Sequence, residues 1–289
     1  MTEKSPPSNY EDLIRLIHEL YDGLSPANQQ IAVFLTQNPN DIAVHSINVL
    51  GRRCGVHASS LVRFAQQFGY SGFKELQRVF QLRLVTAAPG FEARANRLKA
   101  ELGADDADAP RGHLKDLVVR DIASLEEVLS NTTEESFDRA VEILRGARNI
   151  YLLGQLRSEP IVSLVRYLLT MLGRRAILLD ASGGLATHMA RTMEPRDALF
   201  AVSFRFYATE VVNIAEDARR NGIPIIAITD STLSPLAKSA SVLFSVPEHE
   251  YTFSRSLAAP ICLAQALMIG LAAKLNRSDS PRIPTVTQR

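Results

Sequence analysis

The sequence predicts two modules of different fold class. The first is an N-terminal all-helical module of helix-turn-helix type; the second is a C-terminal α/β domain on a doubly wound parallel sheet of about five strands. Three observations predict this. Residues 46–64 read as two short helices around a tight turn. From residue 149 onward, continuous apolar runs alternate with amphipathic segments of helical length, the pattern of strands covered on both faces. Between the two, residues 87–90 and 103–112 have the Ala-, Asp-, Gly- and Pro-rich composition of linkers, with room for a helix between them.

The helical module is legible element by element. Leu13, Ile14, Ile17, Leu20 and Tyr21 form a helical stripe over residues 11–21. Ser25 can cap a second helix, and Pro26 is tolerated at its first position. Ile31, Ala32, Phe34 and Leu35 make the inner face of that helix, and Asn38 with Pro39 ends it. In the next pair, Gly51 is small where two helices nearly touch, and Gly55 supplies a turn at positive φ. Val49, Leu50, Val56, Leu61 and Phe64 fall at inward spacings. Residues 69–73 make a short turn, and residues 74–85 form another helix.

In such a motif the start of the second helix enters the major groove of DNA. Its outward positions here are His57, Ala58, Ser59, Ser60, Arg63 and Gln67, which suit base edges, a thymine methyl or phosphate. Arg52, Arg53, Lys74 and Arg78 are placed to meet phosphates on either side. The competing structural reading is an ordinary helix pair with a solvated basic face. The net charge of +1 makes no whole-molecule case for a nucleic-acid partner, so the charge that serves one must be local.

The second domain begins with two helices over about 114–130 and 134–147. Candidate strands cover 149–153, 176–179, 198–203, 223–229 and 242–246, and a long last helix runs over about 254–275. Ligands of such sheets bind beyond the carboxyl ends of the strands. Three ends carry suitable groups: Gly154, Arg157 and Ser158 after the first; Ser203, Arg205, Thr209 and Glu210 after the third; Thr229 and Ser231 after the fourth. Hydroxyls beside helix N-termini are oxyanion donors, and Arg157 and Arg205 add forked charged donors for phosphate or carboxylate. Taken singly, these residues also read as helix caps and solvated loop residues.

The residue types bound the remaining classes. At 289 residues with 46% hydrophobic and 22% charged content, the chain suits two globular domains. The boundaries fall at 1–85, a linker at 86–112, 113–277, and a disordered tail at 278–289. Cys54 and Cys262 have no metal-ligand spacing and read as two buried, unpaired thiols in a reducing compartment. No metal, cofactor or catalytic triad is signalled. The first residues lack an apolar signal core, and no apolar run reaches the roughly 20 residues of a membrane span, so a cytoplasmic protein is expected.

The chain resembles the RpiR family of bacterial transcriptional regulators from about Leu13 to Leu275. The resemblance rests on Leu24-Ser25-Pro26, on Gly55-Val56 with Val62-Arg63-Phe64-Ala65, and on Phe68-Gly69-Tyr70-Ser71-Gly72-Phe73. In the second domain it rests on Tyr151 to Gly154, Ala201 to Arg205, Ala227 to Ser231 and Ser234 to Ala237. It implies a sugar isomerase (SIS) domain that senses a phosphorylated sugar or sugar acid and changes operator affinity. It also implies a homodimer or dimer of dimers on double-stranded DNA with an inverted repeat. Two loops depart from the family pattern. Leu156 stands where a second glycine is common, and Arg205, Phe206 and Ala208 replace signature residues of the Ser-x-Ser-Gly-x-Thr loop. An arginine there suits a more anionic ligand.

Two other readings compete. SIS domains also occur in aldose–ketose isomerases, for which Glu159, Glu210, His188 or His249 could supply a base. Alternatively, the chain is an architectural DNA-binding protein whose second domain only dimerises.

Overall fold

The computed structural model describes residues 6–85, 110–205, 207–246 and 255–278. The expectations for a helix within the linker, for Phe206 and His249, and for the tail beyond residue 278 lie outside them. The chain separates into two compact units, with the main break between Arg111 and Gly112.

The first unit is helical: α1 (Tyr10–Leu20), α2 (Pro26–Gln37), α3 (Pro39–Val44), α4 (Ile47–Cys54), α5 (Ala58–Gln67) and α6 (Phe73–Val85). Local chemistry sets the helix starts. Asn9 accepts a bond from the Asp12 amide at 2.9 Å, and Ser25 accepts one from the Asn28 amide at 3.4 Å with Pro26 in the first turn. Gln77 Nε2, on α6, donates to the carbonyls of Ile42 and His45 at 2.8 Å each, satisfying acceptors at the end of α3. The core gathers Leu13, Ile17, Ile31, Leu35, Leu50, Leu61, Phe64, Leu76 and Phe80, all fully buried. Each such side chain contributes about 1.5–3 kcal/mol relative to exposure. Tyr10 meets Phe80 edge-on, with ring centroids 5.4 Å apart.

The second unit opens with α7 (Pro110–Asn131) and α8 (Glu134–Gly146). There follow β1 (Ile150–Gly154), α9 (Glu159–Met171), β2 (Ala176–Leu178), α10 (Ala186–Ala190), β3 (Ala198–Val202), α11 (Thr209–Arg220), β4 (Ile225–Thr229), β5 (Val242–Ser245) and α12 (Ala258–Ser278). The five strands are parallel in the order β2-β1-β3-β4-β5. Every residue of β1, β3 and β4 is buried, which explains their unbroken apolar sequences. α8, α9 and α12 pack together over one side of the sheet, while α10 packs with α11 over the other.

Three expectations change. α7 starts at Pro110, inside the stretch read as linker. Cys54 is buried, but Cys262 is exposed on α12. α12 also contradicts the statement that no apolar run reaches membrane-span length: Ala258–Asn276 is long and apolar enough, with a mean hydropathy of 1.7. Length and composition do not separate a span from a core helix. Here Leu263, Ala264, Leu267, Met268 and Leu271 of α12 are buried against the sheet's core.

Candidate functional site

The N-terminal candidate site is the α4–turn–α5 unit. α4 ends in a Schellman motif: the Val56 amide donates to the Gly51 carbonyl at 2.9 Å and the Gly55 amide to the Arg52 carbonyl at 3.3 Å. Gly55 takes φ +73°, the left-handed conformation that the turn requires. Gln30 Nε2 steadies the turn by donating to the Cys54 carbonyl at 2.7 Å. At Gly51, a Cβ would sit 2.8 Å from the Val56 carbonyl oxygen and 3.3 Å from the Ala58 amide nitrogen. Any side chain there would push α5 away from α4.

α5 buries Leu61, Phe64 and Ala65 and turns its other face outward. His57, Ser59, Arg63 and Gln67 are exposed, and Ala58 and Ser60 are half-buried. Arg52, Arg53, Lys74 and Arg78 are exposed on α4 and α6. Two of these residues are engaged within the unit: Arg53 Nη1 pairs with Asp41 Oδ2 at 2.6 Å, and Gln67 Oε1 accepts from Asn28 Nδ2 at 2.6 Å. Arg52, Arg63 and Lys74 have no ion-pair partner among the described residues. Burial raises the Cys54 thiol to about 11, which keeps it protonated and inert beneath the turn.

The C-terminal candidate site is the crevice at the carboxyl end of the sheet. The chain leaves β1 toward one face and β3 toward the other, which makes this the topological switch point of the sheet, the place where open parallel sheets bind their ligands. At Gly154 a Cβ would lie 3.0 Å from both the Ser158 carbonyl oxygen and Val162 Cγ1, so α9 packs directly on the strand end. Leu156 carries φ +56° with its side chain 77% exposed. The left-handed backbone of a glycine is thus kept with a leucine in place, at a strain of about 1–2 kcal/mol. Tyr207, at φ +24°, is the other non-glycine residue with positive φ among those described.

The predicted ligand residues do not all present free groups here. Ser158, Ser203, Thr229 and Ser231 are buried, and Thr229 Oγ1 donates to Asp230 Oδ1 at 3.3 Å. The Arg205 side chain is buried with Nε 3.9 Å from Asp230 Oδ2, so its charge already has a counter-ion. Arg157 lies over the Phe204 ring, 4.7 Å from its centroid, and donates to the Ser256 carbonyl at 3.3 Å. Glu210 accepts at both carboxylate oxygens, from Gln155 Nε2 at 2.6 Å and from Thr187 Oγ1 at 2.9 Å. Thr209 is exposed beside it at the start of α11.

Sequence reasoning missed Gln155, Thr187 and Asp230 as partners. Asp230 stood in the quoted strand-end motif, but nothing in its spacing pointed to Arg205. Glu159 bonds Ser163 on its own helix, and His188 is exposed on α10. No group of metal-ligating side chains occurs among the described residues. A separate cleft of about 250 Å³ lies between α10 and α11, lined by Ala190, Met193, Ile214 and Ile223 with Arg191 and Asp217. It is centred away from the strand ends, and Thr187 lines it as well.

Comparison with known proteins supports both halves. Residues 11–84 match the family model described as helix-turn-helix domain, rpiR family, and residues 143–270 match the SIS domain. The chain is 29% identical over 257 residues to the uncharacterised HTH-type transcriptional regulator YfhH of Escherichia coli (strain K12), covering 88% of each chain. It is 26% identical over 247 residues to the HTH-type transcriptional regulator HexR of Pseudomonas aeruginosa, covering 84% of this chain and 81% of the relative. Among solved structures, the sugar isomerase domain of an RpiR transcription factor from Sphaerobacter thermophilus aligns with a TM-score of 0.54 at 25% identity, covering 56% of this chain and 90% of that one. The Vibrio vulnificus NanR protein complexed with ManNAc-6P shares the fold with a TM-score of 0.52 at 19% identity, covering 91% and 92%. With a helix-turn-helix domain of the rpiR family in front and a SIS domain behind, the chain has the two domains of an HTH-type transcriptional regulator and is similar to such regulators over most of its length.

Proposed function

We propose that this regulator reads an operator through α5 and changes its affinity for that operator when the SIS crevice binds an anionic sugar-derived effector. The observation that carries the reading is the outward face of α5, where His57, Ser59, Arg63 and Gln67 stand exposed on a closely packed helix pair. Ala58 and Ser60 complete the base-reading set, while Arg52 and Lys74 with Arg53 make the phosphate set. The functional modules are residues 1–85 and 113–277. The protein acts in the cytoplasm as a homodimer, or a dimer of dimers, on an inverted repeat.

The effector is a phosphorylated sugar or sugar acid held around Gly154, Ser158, Ser203, Thr209, Thr229 and Ser231, with Arg157 and Arg205 toward its anion. Asp230 tunes that preference, because an incoming anion must share Arg205 with it. Binding rather than turnover is supported by Glu210, whose two oxygens each hold a donor, so that it is committed to bracing the loop rather than moving a proton. The NanR neighbour sets phosphorylated amino sugars as the first ligands to test. Calorimetry against a panel of phosphosugars and sugar acids tests the site: at least one binds, and Arg205→Ala weakens it. Equal binding by Arg205→Ala and wild type removes the anion role. Turnover in a coupled aldose–ketose isomerase assay would overturn the non-enzymatic reading.

A further inference from the structure

α7 is a 22-residue helix that its own domain covers on one side only. Val128 is buried, and Leu125 packs against the core of the domain. Leu114, Val118, Val119, Ile122 and Leu129 are exposed, at 61%, 47%, 57%, 51% and 79%. At 3.6 residues per turn, Leu114, Val118, Ile122, Leu125 and Leu129 fall on one narrow stripe beside the core-facing side. A contiguous apolar stripe of this kind marks an interaction surface.

The spacing and the charges identify the occupant. Leu114 and Leu129 are equidistant from the midpoint of residues 121 and 122, and so are Val118 and Leu125. The stripe is therefore close to palindromic, as a surface that packs on an antiparallel copy of itself must be. Charge agrees. The first half of α7 carries Lys115 and Arg120 against Asp116, whereas the second half carries Asp121, Glu126 and Glu127 and no basic residue. The first turn has no acidic residue and the last turn no basic one. This order runs against the helix dipole, which favours acids at the start and bases at the end. An antiparallel partner brings each half against its opposite. Lys115 and Glu126 lie three turns apart on the same edge of the stripe, and neither has an ion-pair partner among the described residues.

We propose that α7 is the two-fold seam of a homodimer, packing antiparallel on α7 of a second copy with Ile122 beside the axis and Lys115 facing Glu126 across it. The proposal rests on the two-fold reading above and adds its surface.

The test uses the full chain in a Cys262→Ser background, with oligomeric state measured by analytical ultracentrifugation. Ile122→Glu raises the dimer dissociation constant by about 100-fold or more, the scale of a buried apolar anchor lost from both copies. Lys115→Glu and Glu126→Lys each raise it by about tenfold, and the double reversal returns it toward the wild-type value. Under mild oxidation Ile122→Cys crosslinks to itself, whereas Leu114→Cys and Leu129→Cys crosslink only when the two proteins are mixed. A wild type that stays monomeric overturns the two-fold reading itself. A wild-type dimer left intact by Ile122→Glu, or one in which Leu129→Cys crosslinks to itself and Ile122→Cys does not, overturns the seam alone.

Discussion

Gly51→Ala probes the packing on which the α4–α5 unit depends. The added methyl would lie 2.8 Å from the Val56 carbonyl oxygen, where ordinary contact begins near 3.4 Å, so the turn and the start of α5 must retreat by 0.6 Å. Both atoms in the way belong to backbone, Val56 O and Ala58 N, and no side-chain rotation relieves them. Overpacking of this kind costs about 1–3 kcal/mol. Alanine returns about 1 kcal/mol through its better helix propensity. The net expectation is a loss of about 1 kcal/mol, which for a unit of 60–100 residues is about 4–8 °C in Tm. Gly72→Ala is the control: a Cβ there meets nothing within 4 Å. Calorimetry of the full chain should show the helical unit melting earlier in Gly51→Ala and no earlier in Gly72→Ala. If Gly51→Ala proved as stable as wild type and bound duplex DNA equally well, the close approach would have no role in aiming α5.

Other outcomes follow from single residues. Leu156→Gly relieves the left-handed strain at φ +56° and loses little packing, since the leucine is 77% exposed. Chemical denaturation should show a gain of about 0.5–1 kcal/mol after glycine's greater freedom in the unfolded chain is subtracted. Native protein should react with one equivalent of an aromatic disulfide reagent at pH 8, through exposed Cys262, while Cys54, raised to about 11 by burial, reacts only on unfolding. Bonds from the Ser71 amide and hydroxyl hold the Glu75 carboxyl below its ordinary 4.5. Their contribution is complete above that pH and fades as pH falls through the lowered folded-state value, so the Tm gap between wild type and Glu75→Gln should close in acid.

The helical unit was almost fully legible in the sequence because its signals are local. Ser25-Pro26 begins a helix, Gly55 ends one, and the stripe from Leu13 to Ile17 has one period. The buried strands were legible for a related reason: helices on both faces make β1, β3 and β4 continuously apolar. The crevice was legible only as a set of loops. Which groups meet there depends on how separate strand ends converge, and that is absent from local spacing. Glu210 is held by Gln155 and Thr187, which lie 55 and 23 residues away in sequence. Arg205 was read as a free anion receptor because Asp230, on the neighbouring strand end, could not be placed beside it. Cys262 was misjudged because an apolar helix with one free side has the composition of a buried one.

The most direct test of a DNA-reading, ligand-sensing regulator is duplex binding with and without effector. Duplexes selected by the full chain from a random pool would be titrated by fluorescence anisotropy at several fixed salt concentrations. Each would be measured alone and with each phosphosugar and sugar acid of the panel, for wild type and for Arg63→Ala. The account predicts sequence-selective binding that Arg63→Ala weakens, and at least one effector that changes affinity by about fivefold or more. Binding that is indifferent to sequence, to Arg63 and to every member of the panel would contradict it.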